Sequence, residues 1–151
     1  MSARAESLYD LDAARSDEQR RYMEELEAAG VCIFCPEHVA EYHGQPVEHS
    51  GEHWYVTRNA FPYPGTVAHY LIVAHRHVSS FDELPDEAGA ELWAIKRMLK
   101  DRVGAPAVAT VERSGAMWLS GSSVAHLHTH FVALDESPEA TVKFRVSARA
   151  D

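Results

Sequence analysis

Apolar positions recur along this chain with two different periods, and the alternation of those periods outlines its elements. Tyr22, Met23, Leu26 and Ala29 form a stripe at helical spacing, with Ser16 placed to cap its start, Gln19 three residues on, and Gly30 to end it. Leu92, Ile95, Leu99 and Val103 repeat that spacing from Asp86 to Val103. There the acidic Asp86, Glu87 and Glu91 lie near the start and Lys96, Arg97, Lys100 and Arg102 toward the end, as a helix dipole prefers. The aromatic and β-branched content of residues 53–58 predicts a strand, and the run 67–74 is apolar enough to be a central one. Further strands are expected over 107–111, 117–120 and 125–134, with a short edge over 142–146. Residues 59–65, rich in Pro and Gly, form a turn-rich loop, whereas 36–52 has neither period and is expected to be a loop as well. Residues 1–15 look like a loose tail. Helices interleaved with a majority of strands predict an α+β fold, an antiparallel sheet of about five strands with flanking helices. At 151 residues this is one globular domain, divisible into an N-terminal tail and helix over 1–30 and a main body over 31–151.

Composition changes that picture little: 46% hydrophobic and 25% charged residues are ordinary for a folded domain. Charge narrows the partners. A formal net charge of −9 argues against a nucleic-acid scaffold, yet a small phosphate site can be built from imidazoles, hydroxyls and backbone N–H groups inside an acidic protein. No apolar run has the length of a membrane span and the N-terminus opens no signal peptide, so a cytoplasmic protein without a membrane partner is expected.

Candidate chemistry concentrates in two places. His126, His128 and His130 stand at two-residue spacing; on a strand they would share a face and make a row about 13 Å long, enough to span a phosphate, a metal or both. Each would need a partner once buried, which makes three structural histidines on one side costly. Upstream, Cys32 and Cys35 form a Cys-x-x-Cys unit that holds both cysteines of the chain. In a reducing compartment such a pair points to a metal or to redox chemistry, and with Pro36 and a loop expected after it, metal is favoured. His69 reads as a core histidine, and Trp54, Trp93 and Trp118 as core or interface residues.

Taken in order, these motifs resemble the histidine-triad (HIT) family of nucleotide-binding hydrolases and transferases, in its zinc-containing subgroup. His126 to Val132 follows the family's alternation of histidine and apolar residues, with Thr129 at an apolar position. Asn59 and the segment from His69 to Val78 look like its ribose-binding loop and following strand, and Cys32 to Cys35 like its metal knuckle. The resemblance runs from Cys32 to about Leu134. It implies a structural zinc on Cys32, Cys35, His77 and His126, although the residues alone leave His38, His43, His49, His53 and His75 open as ligands. It implies that His128 attacks an α-phosphorus to form a nucleotidyl-histidine, that His130 attends the phosphate or bridging oxygen, and that His126 completes the catalytic set. Gly121, Ser122 and Ser123 would bind phosphate, Asn59 the ribose, and Phe61 or Leu71 would lie near the base. The expected substrate is a nucleotide or dinucleotide, and the expected assembly a homodimer. Two departures bear on the leaving group. The segment Arg113 to Trp118 lacks an asparagine that many relatives carry, and Ala133 to Glu136 stands where several have Pro-Arg. Phosphorolytic or sugar-1-phosphate nucleotidyl transfer, a catalytically slow binding module, and a single ion held by all three triad histidines are the rival readings.

Overall fold

The computed structural model describes residues 7–146, so the first six residues of the expected tail lie outside the described part. Five antiparallel strands form one sheet in the order β1-β2-β3-β5-β4, as an α+β fold requires. They are β1 (Val47–Ser50), β2 (Trp54–Arg58), β3 (Thr66–Ala74), β4 (Ala109–Glu112) and β5 (His128–Leu134). Four helices accompany them: α1 (Asp17–Ala29), α2 (Pro36–Tyr42), α3 (Asp86–Val103) and the one-turn α4 (Met117–Ser120). Among the described residues no helix is long and apolar enough to cross a membrane.

Alternation along the central strands sends side chains to two cores. Tyr70, Ile72 and Ala74 of β3, with Phe131 and Ala133 of β5, pack with Trp54 and Val56 against Ile95 and Leu99 of α3. Trp54 fastens that layer by donating its indole N–H to the Ala88 carbonyl at 2.7 Å. On the other face, Tyr55, Leu71 and Val73 pack with Met23 and Leu26 of α1 and with Cys32, Phe34 and Val39. β3 is therefore covered on both sides, which is why its sequence is a nearly unbroken apolar run.

Helix α1 is capped as its sequence predicts. Ser16 accepts from Gln19 N–H at 3.1 Å, and Gly30 ends the helix in the left-handed region at φ 67°. The expected loop at 36–52 instead holds α2 and β1. α2 starts with Pro36 at its first position and buries one residue, Val39, which is too little for a helical period. β1 is a polar edge strand, mostly exposed, so no alternation marks it. Residues 117–120, expected as a strand from their apolar run, make the single turn α4, stopped by Gly121 at φ 78°. A Cβ on Gly121 would lie 2.8 Å from the Arg145 carbonyl oxygen, so glycine is required there twice over. The 142–146 segment is not a strand; it runs across this glycine.

Nor is the described part of the tail loose. Tyr9 is buried and bridges to Val124. Its hydroxyl donates to the Val31 carbonyl at 2.6 Å and accepts from Ile33 N–H at 3.0 Å. Asp10 N–H and Ala125 N–H add backbone bonds that tie this strap to the residues just before β5.

Candidate active site and metal centre

The histidine row is broken at its first member. β5 begins at His128, so His126 lies in the turn ahead of it. The physical reason is that Leu127 leaves the sheet ladder to exchange bonds with Val78 O and Ala74 N. His128 and His130 do share a face, paired in register with Val73 and Leu71 of β3. The three imidazoles are thereby divided between two sites.

His126 turns to the thiols. Its Nε2–H donates to the Ala74 carbonyl at 2.6 Å, which puts the lone pair on Nδ1. That Nδ1 lies 3.4 Å from Cys32 Sγ, 3.7 Å from Cys35 Sγ and 3.2 Å from His77 Nδ1. His77 Nδ1 is 3.3 Å from Cys35 Sγ, and all four atoms lie within 4.8 Å of one another. A tetrahedral zinc with two sulfurs and two nitrogens demands S···N separations of about 3.6 Å and N···N of about 3.3 Å, so the donor set fits a metal of that size. Burial pushes the Cys35 thiol up to about 12, and the neighbouring Cys32 adds to the rise, so only a cation would make the pair thiolate. Among the other histidines considered, His43 is held by the Arg58 carbonyl at 2.7 Å and His38 lies at 3.1 Å from the Cys32 carbonyl; neither joins the cluster. A helix, α2, does follow the cysteines, contrary to the loop expected there, but it runs from a cysteine pair already surrounded by histidines.

His128 and His130 make the second site. His128 Nδ1–H donates to the His126 carbonyl at 2.7 Å, so its lone pair resides on Nε2. The tautomer of His130 is fixed by a relay. Tyr63 N–H donates to His69 Nδ1 at 3.2 Å; a neutral His69 must then carry its proton on Nε2, 2.9 Å from His130 Nδ1. His130 accepts there and presents Nε2–H. The Asn59 amide nitrogen, 3.2 Å from His69 Nε2, meets a donor and forms only a contact, while its oxygen accepts from Phe61 N–H at 2.9 Å. Burial lowers the pKa of His128 to about 4 and that of His69 to about 4, and it holds His130 well below its ordinary value. At neutral pH one ring thus offers a lone pair and its neighbour, 5.1 Å away between centroids, offers a proton. His69, expected as a core histidine, is indeed buried, and from there it contacts His130. Its only signal was polarity on an otherwise apolar strand.

These depressed values also set a pH dependence. Between pH 6.5 and about 4 the unfolded chain binds a proton at His69 that the folded chain refuses, so stability rises with pH across that window and is lost on acidification. His69 alone corresponds to about 3 kcal/mol by pH 4. Denaturant midpoints measured at pH 7 and pH 4.5 should fall clearly at the lower pH; equal midpoints would contradict this account.

His130 forms part of the wall of a cavity of about 740 Å³. Gly121 and Ser123 line it, whereas Ser122 turns its hydroxyl back to the Val124 carbonyl at 2.9 Å. Phe61 lines it too, but Leu71 lies in the apolar core under the sheet. Asn59 is not at the wall, although Phe61, Pro62, Tyr63 and Pro64 of its loop are. Two further walls lie outside the motifs: Arg15 on the N-terminal strap, and the C-terminal stretch with Thr141 and Lys143. Trp93 and Trp118 are exposed, and only Trp54 of the three tryptophans belongs to the core.

Comparison with known proteins agrees with this fold. The HIT domain model matches residues 50–137. A HIT family hydrolase from Clostridium thermocellum superposes with a TM-score of 0.56 at 16% identity, over 73% of this chain and 96% of that one. A histidine triad protein from Clostridium difficile gives 0.55 at 19%, over 72% and 94%. A HIT family member from Bacillus subtilis gives 0.55 at 21%, over 76% and 80%. Identities this low establish a shared fold and nothing finer. No curated protein matches the chain in sequence.

Proposed function

The chain belongs to the HIT domain family, and on that premise we propose that it is a nucleotidyl hydrolase or transferase working through a covalent nucleotidyl-histidine. The observation that carries this reading is the pair of opposed tautomers, a lone pair on His128 Nε2 beside a proton on His130 Nε2. In the first step His128 Nε2 attacks the α-phosphorus of a nucleotide or dinucleotide. The bond from phosphorus to the bridging atom breaks, its electron pair leaves with the departing group, and His130 Nε2–H protonates that group where its basicity demands it. In the second step water, or another acceptor, attacks the phosphorus; its proton replaces the one His130 gave up in the first step or, where the departing group needed none, is released to solvent. The N–P bond breaks and its electrons return to His128.

Gly121 and Ser123 at the cavity wall, with Ser122 behind them, suit phosphate contact through backbone N–H groups and a hydroxyl. The loop that Asn59 opens is the proposed nucleoside side. Cys32, Cys35, His77 and His126 are the proposed zinc ligands. There the metal would supply charge to hold two thiolates and join the knuckle to β5, taking no part in the chemical steps. The His126 carbonyl connects the two sites, because it accepts from the attacking ring. The open outer edge of β4 and the exposed Trp93 on α3 support a homodimer, and two unoxidised cysteines suit the cytoplasm.

The test is direct. The protein is incubated with α-labelled dinucleoside polyphosphates, nucleoside phosphoramidates and nucleotide sugars, with and without inorganic phosphate, and quenched in alkali. Label should stay on the protein at His128 for at least one substrate, and the product formed with phosphate separates hydrolysis from phosphorolysis. A panel that yields neither adduct nor product would overturn the reading.

A further inference from the structure

A cleft of about 480 Å³ opens where β2 and α3 end, and it shares no lining residue with the cavity beside His130. The two lie on opposite faces of the sheet. Tyr70, in the wall of the cleft, belongs to the core under α3, whereas His128 and His130 pair with Val73 and Leu71 of the other face.

Donors outnumber acceptors in this cleft. Arg58 and Tyr70 are cross-strand partners between β2 and β3, so their side chains share a face. The Arg58 guanidinium lies 4.6 Å from the centre of the Tyr70 ring, and its Nη2–H donates to the Tyr70 hydroxyl oxygen at 2.8 Å. Its Nε–H donates to Glu48 Oε2 at 3.0 Å. Tyr70 is 2% exposed, and among the described residues its O–H, unlike its oxygen, has no partner. A buried hydroxyl proton in that state carries a penalty that only water or a ligand can offset. Arg102, on the last turn of α3, stands 3.8 Å from Glu48 Oε1, beyond hydrogen-bond reach, and no other acceptor among the described residues meets it. One carboxylate thus lies between two guanidiniums. Both shortfalls, at Tyr70 and at Arg102, are of a negatively charged acceptor oxygen.

The remaining walls limit what else a ligand can carry. Val67 is 58% exposed and shares the cleft with Ala68 and Val103, so hydrocarbon there faces water until something covers it. Val67 stands where β3 slips register against β5, between Thr66 and Ala68. Negative charge is tolerated only in a small amount. Glu48 already stands between the cations, and α3 directs its C-terminal end here, where the helix dipole disfavours anions. A doubly charged phosphate meets both obstacles at twice the strength that a carboxylate does.

We propose that this cleft binds a small monocarboxylate with an apolar body. Its carboxylate accepts from the Tyr70 O–H and pairs with Arg102, and its hydrocarbon covers Val67 and Val103. Binding breaks no covalent bond, and the site stands or falls independently of the nucleotidyl-transfer reading.

Hexanoate is the probe, titrated into the full chain and followed by NMR of methyl and aromatic groups. It should saturate with a Kd of about 1 mM or tighter, with shifts centred on Val67, Tyr70 and Val103. Hexanol and hexylamine should bind at least about tenfold more weakly, for want of the negative charge. Butanoate, shorter by two methylenes, should also bind about tenfold more weakly. Tyr70→Phe removes the hydroxyl and keeps the ring against Phe131, and Arg102→Gln changes a half-exposed side chain at the end of a helix, so the fold survives at least the second. Each should weaken hexanoate about tenfold. Absence of saturation, shifts confined to the cavity beside His130, or an affinity that neither variant lowers would overturn the site. Orthophosphate bound as tightly as hexanoate, or butanoate bound equally well, would overturn the ligand class.

Discussion

Replacing His128 with asparagine is expected to lower turnover about 10⁴-fold or more, with the labelled adduct gone and nucleotide affinity changed no more than a few-fold. Asparagine is chosen because its amide N–H can take over donation to the His126 carbonyl, now made by His128 Nδ1–H at 2.7 Å, so the local backbone keeps its partner. What is lost is the Nε2 lone pair, and with it the proposed bond to phosphorus. Alanine would remove both and would leave the His126 carbonyl to be satisfied by water. The measurement is single-turnover transfer from an α-labelled substrate, paired with equilibrium binding of the unlabelled nucleotide. An adduct that survives in the variant, or a loss of less than tenfold, would place the nucleophile on another residue.

The second large effect concerns the metal proposed for the Cys32, Cys35, His77 and His126 cluster. Stripping it with a chelator is expected to lower unfolding stability by about 5 kcal/mol and to restore it on adding zinc. The four donors connect segments far apart in the chain, 42 residues from Cys35 to His77 and 49 from His77 to His126. Holding such loops closed removes much of the unfolded chain's freedom. In the stripped protein the two buried sulfurs should also become reactive toward a thiol reagent, two equivalents per chain. Because the His126 carbonyl orients His128, activity should fall along with stability. Denaturation followed by calorimetry, with metal content measured in parallel, decides it: a stripped protein of unchanged midpoint would show that the cluster is a packed core with no ion to hold.

Much of this architecture was legible before any coordinates. A capping serine, a glutamine and a terminal glycine marked α1. An unbroken apolar run marked the central strand, and the charge gradient marked α3. The family resemblance implied a cluster of Cys32, Cys35, His77 and His126 where the residues alone left other histidines open, and the structure places those four side chains together. What escaped did so for physical reasons. α2 and β1 bury too little to impose a period. Met117 to Leu119 is apolar in composition yet exposed in large part, because Gly121 turns the chain after a single helical turn. The relay to His130 escaped because a bridge between two rings depends on which nitrogens face each other, and no spacing encodes that. Arg15 escaped for a different reason: it lies in a short segment with no period of its own, which acquires its place by bonding to residues more than a hundred positions away.

The walls of the cavity come from two kinds of chain. Its chemistry resides on β5 and the turn before it, clamped between two cores. Its far wall comes from the strap ahead of α1 and the stretch after β5, each joined to the body by a few bonds. Substitutions in the core strands would disturb nucleophile, donor and metal cluster at once. Substitutions at the cavity-facing Arg15 or Lys143 leave the core contacts of the strap, Tyr9 among them, in place. Such a molecule is modular in inheritance: residues of the strap and of the final stretch can change and reshape what the cavity accepts, while the strand that carries the paired histidines stays as it is.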